Sequence, residues 1–375
     1  MRHAPIIGRL WSIPAAAAVA SVLILAGCSG SSVPVKADSK PAPAVPEGGV
    51  WLRGAGATFP AVLYDEWFRI YHSQHPDIVI TYEAVGSGEG VRRYIGHNVD
   101  ERDRVDFGAS DAAMRDDEIA MVRDGALLVP LTAGSVALAY NLPDNPELKL
   151  SREAYVGIFT GAITNWNDPR IARANPGLKL PNLTIATVVR QDSSGTTFAF
   201  TKHLDAVSEQ WRSQHGPATL VNWPGNSMRA ASNEGVAGRI KQSVGSVGYV
   251  GTESARRAGL RVALLENRAG HFVGPTEQGS TSALSSAELS DNLRAYVPDP
   301  PQRDAYPIVT LTWVLLYQHY ADSRKANELY DLFRWCLTEG QEHVSKLGYA
   351  PLPPVVRRAS IQALDRVRPV HTDSH

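Results

Sequence analysis

Cysteine is scarce in this 375-residue chain, which contains only Cys28 and Cys336. A small domain held together by disulfides, or a site that holds zinc through several thiolates, needs more cysteines than this. Cys336 lies in the amphipathic stretch 328–337, whose apolar spacing is typical of a helix packed against a core. We therefore predict no structural disulfide, no metal site and no cofactor.

Neither sign of charge is in excess, because 37 lysines and arginines are matched by 38 acidic residues, for a net charge of −1. The sequence has no basic block of the kind that follows a nucleic-acid backbone, so we predict no nucleic-acid partner. It also lacks a G-x-S-x-G elbow and an H-E-x-x-H pair. These absences argue against a secreted phosphatase, which stays open as the enzyme alternative. A G-x-G at Gly54 lacks the third glycine of a dinucleotide-binding turn.

An apolar run at the N-terminus is too short for a stable membrane span. Residues 1–28 begin with Arg2 and Arg9, continue through an apolar core and end in Leu-Ala-Gly-Cys at Cys28. A basic start, a short apolar segment and small residues before the cleavage point are typical of an export signal. The ending resembles the bacterial lipoprotein box, in which Cys28 is acylated and anchors the protein to a membrane. The alternative is an ordinary secretory signal that contains a cysteine.

Residues 29–49 are rich in Ser, Pro, Ala and Lys and have few apolar side chains. Such a segment buries too little surface to fold, so we predict a flexible tether. From Val50 onward, strand-like and helix-like segments alternate, which favours an α/β architecture with open, largely parallel sheets.

The chain from residue 50 onward is too long to form a single hydrophobic core, so we expect two lobes. The apolar runs 127–140 and 306–317 are suited to carry the chain from the first lobe to the second and back. The prediction is therefore a discontinuous lobe I and an inserted lobe II. Lobe I comprises residues 50–139 plus 309–375, and lobe II comprises residues 140–308.

The most informative stretch is Arg-Gln-Asp-Ser-Ser-Gly-Thr-Thr at residues 190–197, between a β-branched run and a helix-like run. A strand that ends at a small-residue turn and leads directly into a helix points several backbone N–H groups at one place, at the positive end of the helix dipole. This arrangement favours an anion site. Ser194 and Thr196 add hydroxyl donors, and Arg190 adds a permanently charged, forked donor. The alternative is that Ser194 is an ordinary helix cap.

Three further turns have a related composition. Gly-Ala-Gly-Ala-Thr-Phe-Pro at residues 54–60 precedes a predicted helix at 61–75, and Gly-Ser-Gly-Glu-Gly at 86–90 follows a predicted strand at 78–85. The third turn, Asp-Phe-Gly-Ala-Ser-Asp, ends at Asp111. Each turn is a weak signal, but the set predicts several donor-rich turns in one protein.

In these motifs the chain resembles the periplasmic phosphate-binding proteins, the substrate-capturing subunits of phosphate ABC transporters. GAGATFP, VGSGEG, DFGASD, GIFTGAITNWNDPRIARANPGLKLP, RQDSSGTTF and the later VGSVGYV occur in that family's order. The likeness extends from about residue 52 to about residue 354. It implies a two-lobed periplasmic-binding-protein fold of type II, in which each lobe is an open sheet flanked by helices and the ligand lies in the cleft.

The resemblance also implies a set of phosphate-binding residues. They are Thr58, Phe59 through its N–H, Ser87, Asp111, Arg190, Ser194, Gly195 through its N–H, and Thr196. Asp192 is implied to hold the Arg190 guanidinium. Glu89 departs from the family pattern, and we expect its side chain to point to solvent. The contributions of Asn233 and Glu234 are left open.

Asp111 is the one predicted site residue that should repel an anion. An ionised carboxylate only accepts hydrogen bonds, so it suits a ligand that carries its own proton, such as HPO₄²⁻ or H₂PO₄⁻, and it disfavours sulfate. The alternative is that Asp111 caps a helix predicted at residues 112–122.

The combined expectation is an extracytoplasmic lipoprotein, periplasmic or on the cell surface, that binds inorganic phosphate and has no enzymatic activity. The resemblance implies that it delivers phosphate to the permease subunits of an ABC transporter and, through them, to the ATPase. A receptor for another tetrahedral oxyanion, arsenate included, remains the alternative within the binding class.

Overall fold

The apolar runs of the sequence form the centre of the fold. In the computed structural model, which describes residues 42–225 and 227–369, the run 127–140 lies in strand β4 (Ala126–Asn141). Every residue of β4 between its two ends is buried. A strand covered on both faces needs apolar residues at successive positions, which is why this run does not alternate with polar residues. The run 306–317 contributes strand β12 (Val309–Tyr317).

The remaining strands are short or moderate in length. They are β1 (Val50–Gly56), β2 (Ile78–Ala84), β3 (Phe107–Ser110), β5 (Lys149–Leu150), β6 (Ala186–Arg190), β7 (Met228–Ala230), β8 (Ser246–Gly251), β9 (Arg261–Val262), β10 (Leu264–Glu266), β11 (Phe272–Val273), β13 (His319–Tyr320) and β14 (Arg368–Pro369).

Helices connect most of these strands. They are α1 (Ala61–Gln74), α2 (Ser87–Ile95), α3 (Asp116–Ala120), α4 (Arg152–Phe159), α5 (Pro169–Ala172), α6 (Gly195–Val207), α7 (Glu209–Gln214), α8 (Ser232–Gln242), α9 (Thr252–Ala258), α10 (Glu277–Leu284), α11 (Ser323–Leu337) and α12 (Pro354–Leu364). Short 3₁₀ turns lie at Glu101–Asp103, Glu339–His343 and Ser345–Leu347.

The main sheet is mixed. Its hydrogen-bonded order is β2-β1-β3-β12-β4-β8-β6-β7, with β9 also paired to β4. Strands β1, β2 and β3 run parallel, and so do β8, β6 and β7. The pairs at the centre, β3–β12, β12–β4 and β4–β8, are antiparallel. The predicted α/β fold with open sheets flanked by helices is confirmed, but the expectation of largely parallel strands holds only for the two outer groups.

Strand β4 belongs to both groups of strands. Its residues 126–135 pair with β12, and its residues 136–141 pair with β8. β4 therefore passes from the group that contains β1 to the group that contains β6, as expected for one crossing between lobes. The division at residues 139/140 and 308/309 stays a prediction.

Helices α1 and α11 follow the predicted apolar spacing. α1 ends one residue before the predicted boundary and buries one face, formed by Leu63, Tyr64, Trp67, Phe68 and Tyr71. Cys336 lies on the buried face of α11 and is fully buried, and burial raises the pKa of its thiol. The predicted core role of this cysteine is therefore confirmed.

The chain divides into two units, residues 1–43 and residues 44–375. The predicted export signal, Cys28 and most of the predicted tether lie outside the described residues. Within the part of the chain that the structure describes, no helix combines the length and the apolar character needed to cross a bilayer.

Candidate functional site

Three of the predicted turns lie at the same edge of the sheet. Thr58 follows β1, Ser87 follows β2, and Asp111 directly follows β3. Because these strands are parallel, their carboxyl ends meet at one edge, which is the usual place for ligands in open α/β sheets. All three side chains are at most 2% exposed.

The fourth turn approaches this edge from the other group of strands. Arg190 is the last residue of β6, and Ser194 precedes the first residue of α6. The Ser87 Oγ accepts a hydrogen bond from the N–H of Asp111 at 3.2 Å and another from the N–H of Gly195 at 3.0 Å. One hydroxyl therefore connects three turns that are far apart in the sequence.

Glycine permits this close approach at two positions. A Cβ at Gly195 would lie 2.5 Å from the Cβ of Asp111 and 2.7 Å from the Ser87 Oγ. Gly86 has a φ of +98°, and a Cβ there would lie 2.5 Å from Asp192 Oδ2. The N–H of Gly88 also donates to the carbonyl of Ser193 at 3.0 Å. No larger residue fits at Gly195 without separating the turns.

Ser194 caps α6, which is one of the two roles that the sequence left open for it. Its Oγ accepts from the Thr197 N–H at 3.2 Å, as in an ordinary helix cap. The same residue is only 1% exposed at the start of α6, beside the turns described above. The capping bond uses a lone pair of the Ser194 oxygen, so the hydroxyl hydrogen stays available to another acceptor.

Arg190 is held by Asp192 and by Tyr249. Its Nε donates to Asp192 Oδ1 at 2.8 Å, its Nη2 pairs with Asp192 Oδ2, and its backbone N–H donates to the Tyr249 hydroxyl at 3.1 Å. Burial raises the pKa of Asp192, but the hydrogen bonds and charge of Arg190 outweigh burial and hold that pKa below its usual value. Arg190 is 1% exposed, and its Nη1 has no hydrogen-bond partner in residues 42–225 and 227–369. The predicted Asp192–Arg190 pair is therefore present.

The Asp111 carboxyl lies in the same buried region as Arg190. Its Oδ1 accepts a hydrogen bond from the Thr312 hydroxyl at 2.7 Å. Burial raises the pKa of Asp111 to about 7, while the hydrogen bond from Thr312 and the charge of Arg190 act in the opposite direction. Burial therefore outweighs both of these effects.

The helix-cap alternative for Asp111 is wrong. The helix predicted at residues 112–122 begins only at Asp116 and has Arg115 as its N-cap. The N–H of Arg115 donates to the Glu118 carboxylate at 2.8 Å, which fixes the start of the helix four residues later than predicted. Asp111 is thus buried without capping a helix.

Asn233 is an additional buried residue at this edge that the sequence left undecided. Its Nδ2 donates to the hydroxyl of Thr58 at 3.1 Å and to the hydroxyl of Thr196 at 3.3 Å. Its Oδ1 accepts from the N–H of Gly251 at 3.1 Å. Thr58 and Thr196 are therefore brought together through a third side chain.

Phe59 and Glu89 have partners of their own. The carbonyl of Phe59 accepts from the Tyr349 hydroxyl at 2.6 Å, and the two rings pack edge to face. Glu89 does not simply point to solvent: it forms hydrogen bonds of 2.7 to 2.8 Å with Arg92 and Arg93, and these bonds, chiefly the one from Arg92, lower its pKa to about 2. Its charge is therefore largely compensated on α2.

The described residues contain no cluster of three or more His, Cys, Asp or Glu side chains able to hold a metal ion. The four turns that meet at this edge, at residues 54–60, 86–90, 106–111 and 190–197, are called the converging turns. They offer hydrogen-bond donors from hydroxyls, backbone N–H groups and the Arg190 guanidinium, together with the Asp111 carboxyl. Such a donor set can bind an oxyanion.

Comparison with known proteins agrees with the geometry. A family model described as a PBP superfamily domain matches residues 32–333. The phosphate-binding protein PstS of Methanocaldococcus jannaschii is 32% identical over 377 residues, covering 93% of each chain. PstS of Xylella fastidiosa strain Temecula1 is 34% identical over 310 residues, covering 81% of this chain and 82% of the relative.

A solved structure has the same fold. The phosphate-binding protein from Stenotrophomonas maltophilia superposes with a TM-score of 0.68 at 20% identity, over 84% of this chain and 93% of that one. The superposition establishes the fold, and the sequence relatives establish the family. This chain belongs to the PstS family of phosphate-binding proteins, within the periplasmic-binding-protein superfamily.

Proposed function

We propose that this protein is an extracytoplasmic lipoprotein that binds inorganic phosphate at the converging turns and delivers it to an ABC permease for import. The proposed ligand-binding set is the one implied by the family resemblance: Thr58, the Phe59 N–H, Ser87, Asp111, Arg190, Ser194, Gly195 and Thr196. Asp192 orients Arg190. The protein acts by binding and release and catalyses no reaction.

The observation that carries this proposal is the state of the Arg190 guanidinium. A buried charged donor without a partner is costly, on the order of 1–3 kcal/mol or more. Arg190 Nη1 is in this state, whereas Nε and Nη2 are paired with Asp192. A bound phosphate oxygen supplies the missing acceptor with a charge-assisted hydrogen bond.

Asp111 makes the site sensitive to protons carried by the ligand. Thr312 occupies one lone pair of Oδ1, which leaves the other carboxylate oxygen to accept from a phosphate hydroxyl. Because the pKa of Asp111 is about 7, the carboxyl and the phosphate share one proton over the neutral pH range. Sulfate brings no proton, so it meets an unfavourable contact whenever Asp111 is ionised.

We further propose that the two groups of strands are two lobes that close on the ligand. Lobe I comprises residues 50–139 plus 309–375, and lobe II comprises residues 140–308. Strand β4 pairs with both groups, so bending within it is a route to opening. In an open form Gly195 separates from Ser87, and phosphate shifts the equilibrium towards closure.

Cys28 is proposed to carry the lipid, and residues 29–49 to serve as the tether that lets the folded body reach the permease. Mass spectrometry of membrane-extracted protein tests this directly. An acylated Cys28 at the mature N-terminus supports the proposal, whereas cleavage elsewhere or an unmodified thiol contradicts it.

Calorimetric titration of the purified full chain with phosphate, arsenate and sulfate at pH 8 tests the binding function. The proposal predicts saturable binding of one phosphate per chain and much weaker sulfate binding. Absence of phosphate binding, or preferential binding of another oxyanion, contradicts it. Release of phosphate from a phosphomonoester would indicate the enzyme alternative instead.

A further inference from the structure

Asn233 lies in the first turn of α8 and is completely buried. Its side-chain amide is in contact with three different segments of the fold. It reaches the turn after β1 through Thr58, the start of α6 through Thr196, and the end of β8 through Gly251. This residue is outside the ligand-binding set proposed above.

The hydrogen bonds fix which way the amide faces. The N–H of Gly251 can only donate, so the atom of Asn233 that meets it at 3.1 Å must be the acceptor Oδ1. The two hydrogens of Nδ2 are therefore directed towards the hydroxyls of Thr58 and Thr196, at 3.1 and 3.3 Å. A flipped amide would place two donors against each other at Gly251 and would lose that bond.

This orientation determines what the two hydroxyls can do. A hydroxyl oxygen has two lone pairs and one hydrogen. The Thr58 Oγ1 accepts from Nδ2 and also from the backbone N–H of Asn233 at 3.3 Å, so both of its lone pairs are used. The Thr58 hydroxyl can then only donate. The Thr196 hydroxyl has one lone pair used in the same way.

We propose that Asn233 is a positioning residue that sets the Thr58 and Thr196 hydroxyls as hydrogen-bond donors to the bound anion. This inference rests on the proposed function and adds to it the origin of the donor character of the site. A hydroxyl that is already oriented as a donor pays no reorientation cost on binding an oxyanion, and the bonds it receives strengthen the one it gives.

Two substitutions change this arrangement in different ways. Asn233→Ala removes the donors, so the hydroxyls are free to turn. Asn233→Asp keeps the shape and the acceptor for Gly251 but replaces the donors by an acceptor, so the hydroxyls turn towards the aspartate and away from the anion. We expect phosphate affinity to fall at least about tenfold in the alanine variant and about a hundredfold or more in the aspartate variant.

Asn267 supplies a matched control. It is 1% exposed, and its Nδ2 donates to the carbonyls of Arg303 and Ala305 at 2.8 and 3.0 Å. Among the described residues, none of its hydrogen bonds reaches the converging turns. Asn267→Ala should lower the stability of the ligand-free protein as Asn233→Ala does. It should leave phosphate affinity unchanged.

A Thr58→Val, Thr196→Val background separates positioning from general structural support. Calorimetric titration of the full chain with inorganic phosphate is repeated with Asn233→Ala in this background. If Asn233 acts through the two hydroxyls, its replacement there changes affinity by less than about threefold, because the groups it orients are gone.

The outcomes distinguish this inference from the proposed function. A wild-type protein that does not bind phosphate refutes both. A wild-type protein that binds phosphate overturns this inference alone in either of two cases: Asn233→Asp binds as tightly as wild type, or Asn233→Ala loses the same affinity with and without the two hydroxyls.

Discussion

Replacing Asp111 by asparagine should remove most of the preference for phosphate over sulfate. In the variant, the side-chain oxygen still accepts from the Thr312 hydroxyl, as Oδ1 does at 2.7 Å in the wild type. The amide NH₂ then takes the place of the second carboxylate oxygen. The side chain becomes a donor towards the anion, and a donor suits either phosphate or sulfate.

The size of the effect follows from the two contacts that differ. Phosphate gains a hydrogen bond to a charged acceptor, worth about 1.5–3 kcal/mol, and sulfate leaves that buried acceptor unsatisfied at a cost of about 1–3 kcal/mol. Together these give the wild type a preference of roughly 10² to 10⁴-fold at pH 8, where Asp111 is mostly ionised. In Asp111→Asn the ratio should fall to within about tenfold.

The same argument gives a pH dependence. The pKa of Asp111 is raised to about 7, so the carboxyl gains a proton as pH falls from 8 to 6 and becomes a donor. Sulfate itself does not titrate in this range. Wild-type affinity for sulfate should therefore rise by about tenfold in total as pH falls from 8 to 6, mostly above pH 7, and level off below it. The affinity of Asp111→Asn for sulfate should stay level over the same range.

Calorimetric titration with both anions at pH 6, 7 and 8 measures these quantities. Asp291→Asn, which neutralises an exposed carboxylate, controls for net charge. The reasoning is refuted if wild type binds sulfate at pH 8 about as tightly as phosphate, or if Asp111→Asn keeps the wild-type ratio.

Three further predictions concern the converging turns and their surroundings. Gly195→Ala places a Cβ 2.5 Å from that of Asp111, so phosphate affinity should fall at least about tenfold. In Gly238→Ala the new Cβ meets nothing within 4 Å apart from its chain neighbours and the backbone of its own helix, so phosphate affinity should be unchanged. Arg190→Lys keeps the charge but loses the fork that pairs with a carboxylate, so affinity should fall about a hundredfold in the same titration. Burial raises the pKa of Glu253 to about 8, so its contribution to stability is present at low pH and is lost as pH rises from about 4.5 to 8. This loss lowers the free energy of unfolding by up to about 5 kcal/mol. Chemical denaturation of the ligand-free protein should show that Glu253→Gln lacks this part of the decline. An unchanged phosphate affinity in Gly195→Ala or in Arg190→Lys, or an unchanged pH profile of stability in Glu253→Gln, would contradict these expectations.

The local part of the site could be predicted because it follows from short-range rules. Small and hydroxylated residues between a strand and a helix place N–H groups at a helix start, and Ser194 at the start of α6 conforms to that rule. Consecutive apolar residues at 127–140 indicate a strand buried on both faces, and β4 has that environment. These features depend on residues that are close together in the chain.

Features that depend on distant residues could not be read in the same way. β12 inserts between β3 and β4 and makes the centre of the sheet antiparallel, although it follows β4 by more than half of the described chain. Asn233 meets Thr58 across a separation of 175 residues. No spacing in the sequence encodes that contact, because it exists only when both groups of strands are in place.

The late start of α3 shows a third kind of limit. Residues 112–122 have the spacing of a helix that begins just after Asp111, but the capping interaction between Arg115 and Glu118 starts the helix at Asp116. The acidic residue three positions after Arg115 is a sequence signal for a helix start at this place. An aspartate before a helix-like run is a commoner signal, and it favoured a start just after Asp111.

The most direct test of the central claim is a crystal structure of the full chain grown with phosphate. We predict one tetrahedral anion within about 3 Å of Arg190 Nη1, Thr58 Oγ1 and Ser194 Oγ, with one oxygen facing the Asp111 carboxyl. An anion bound elsewhere, with Arg190 Nη1 still unpaired beside Asp111, would contradict the account.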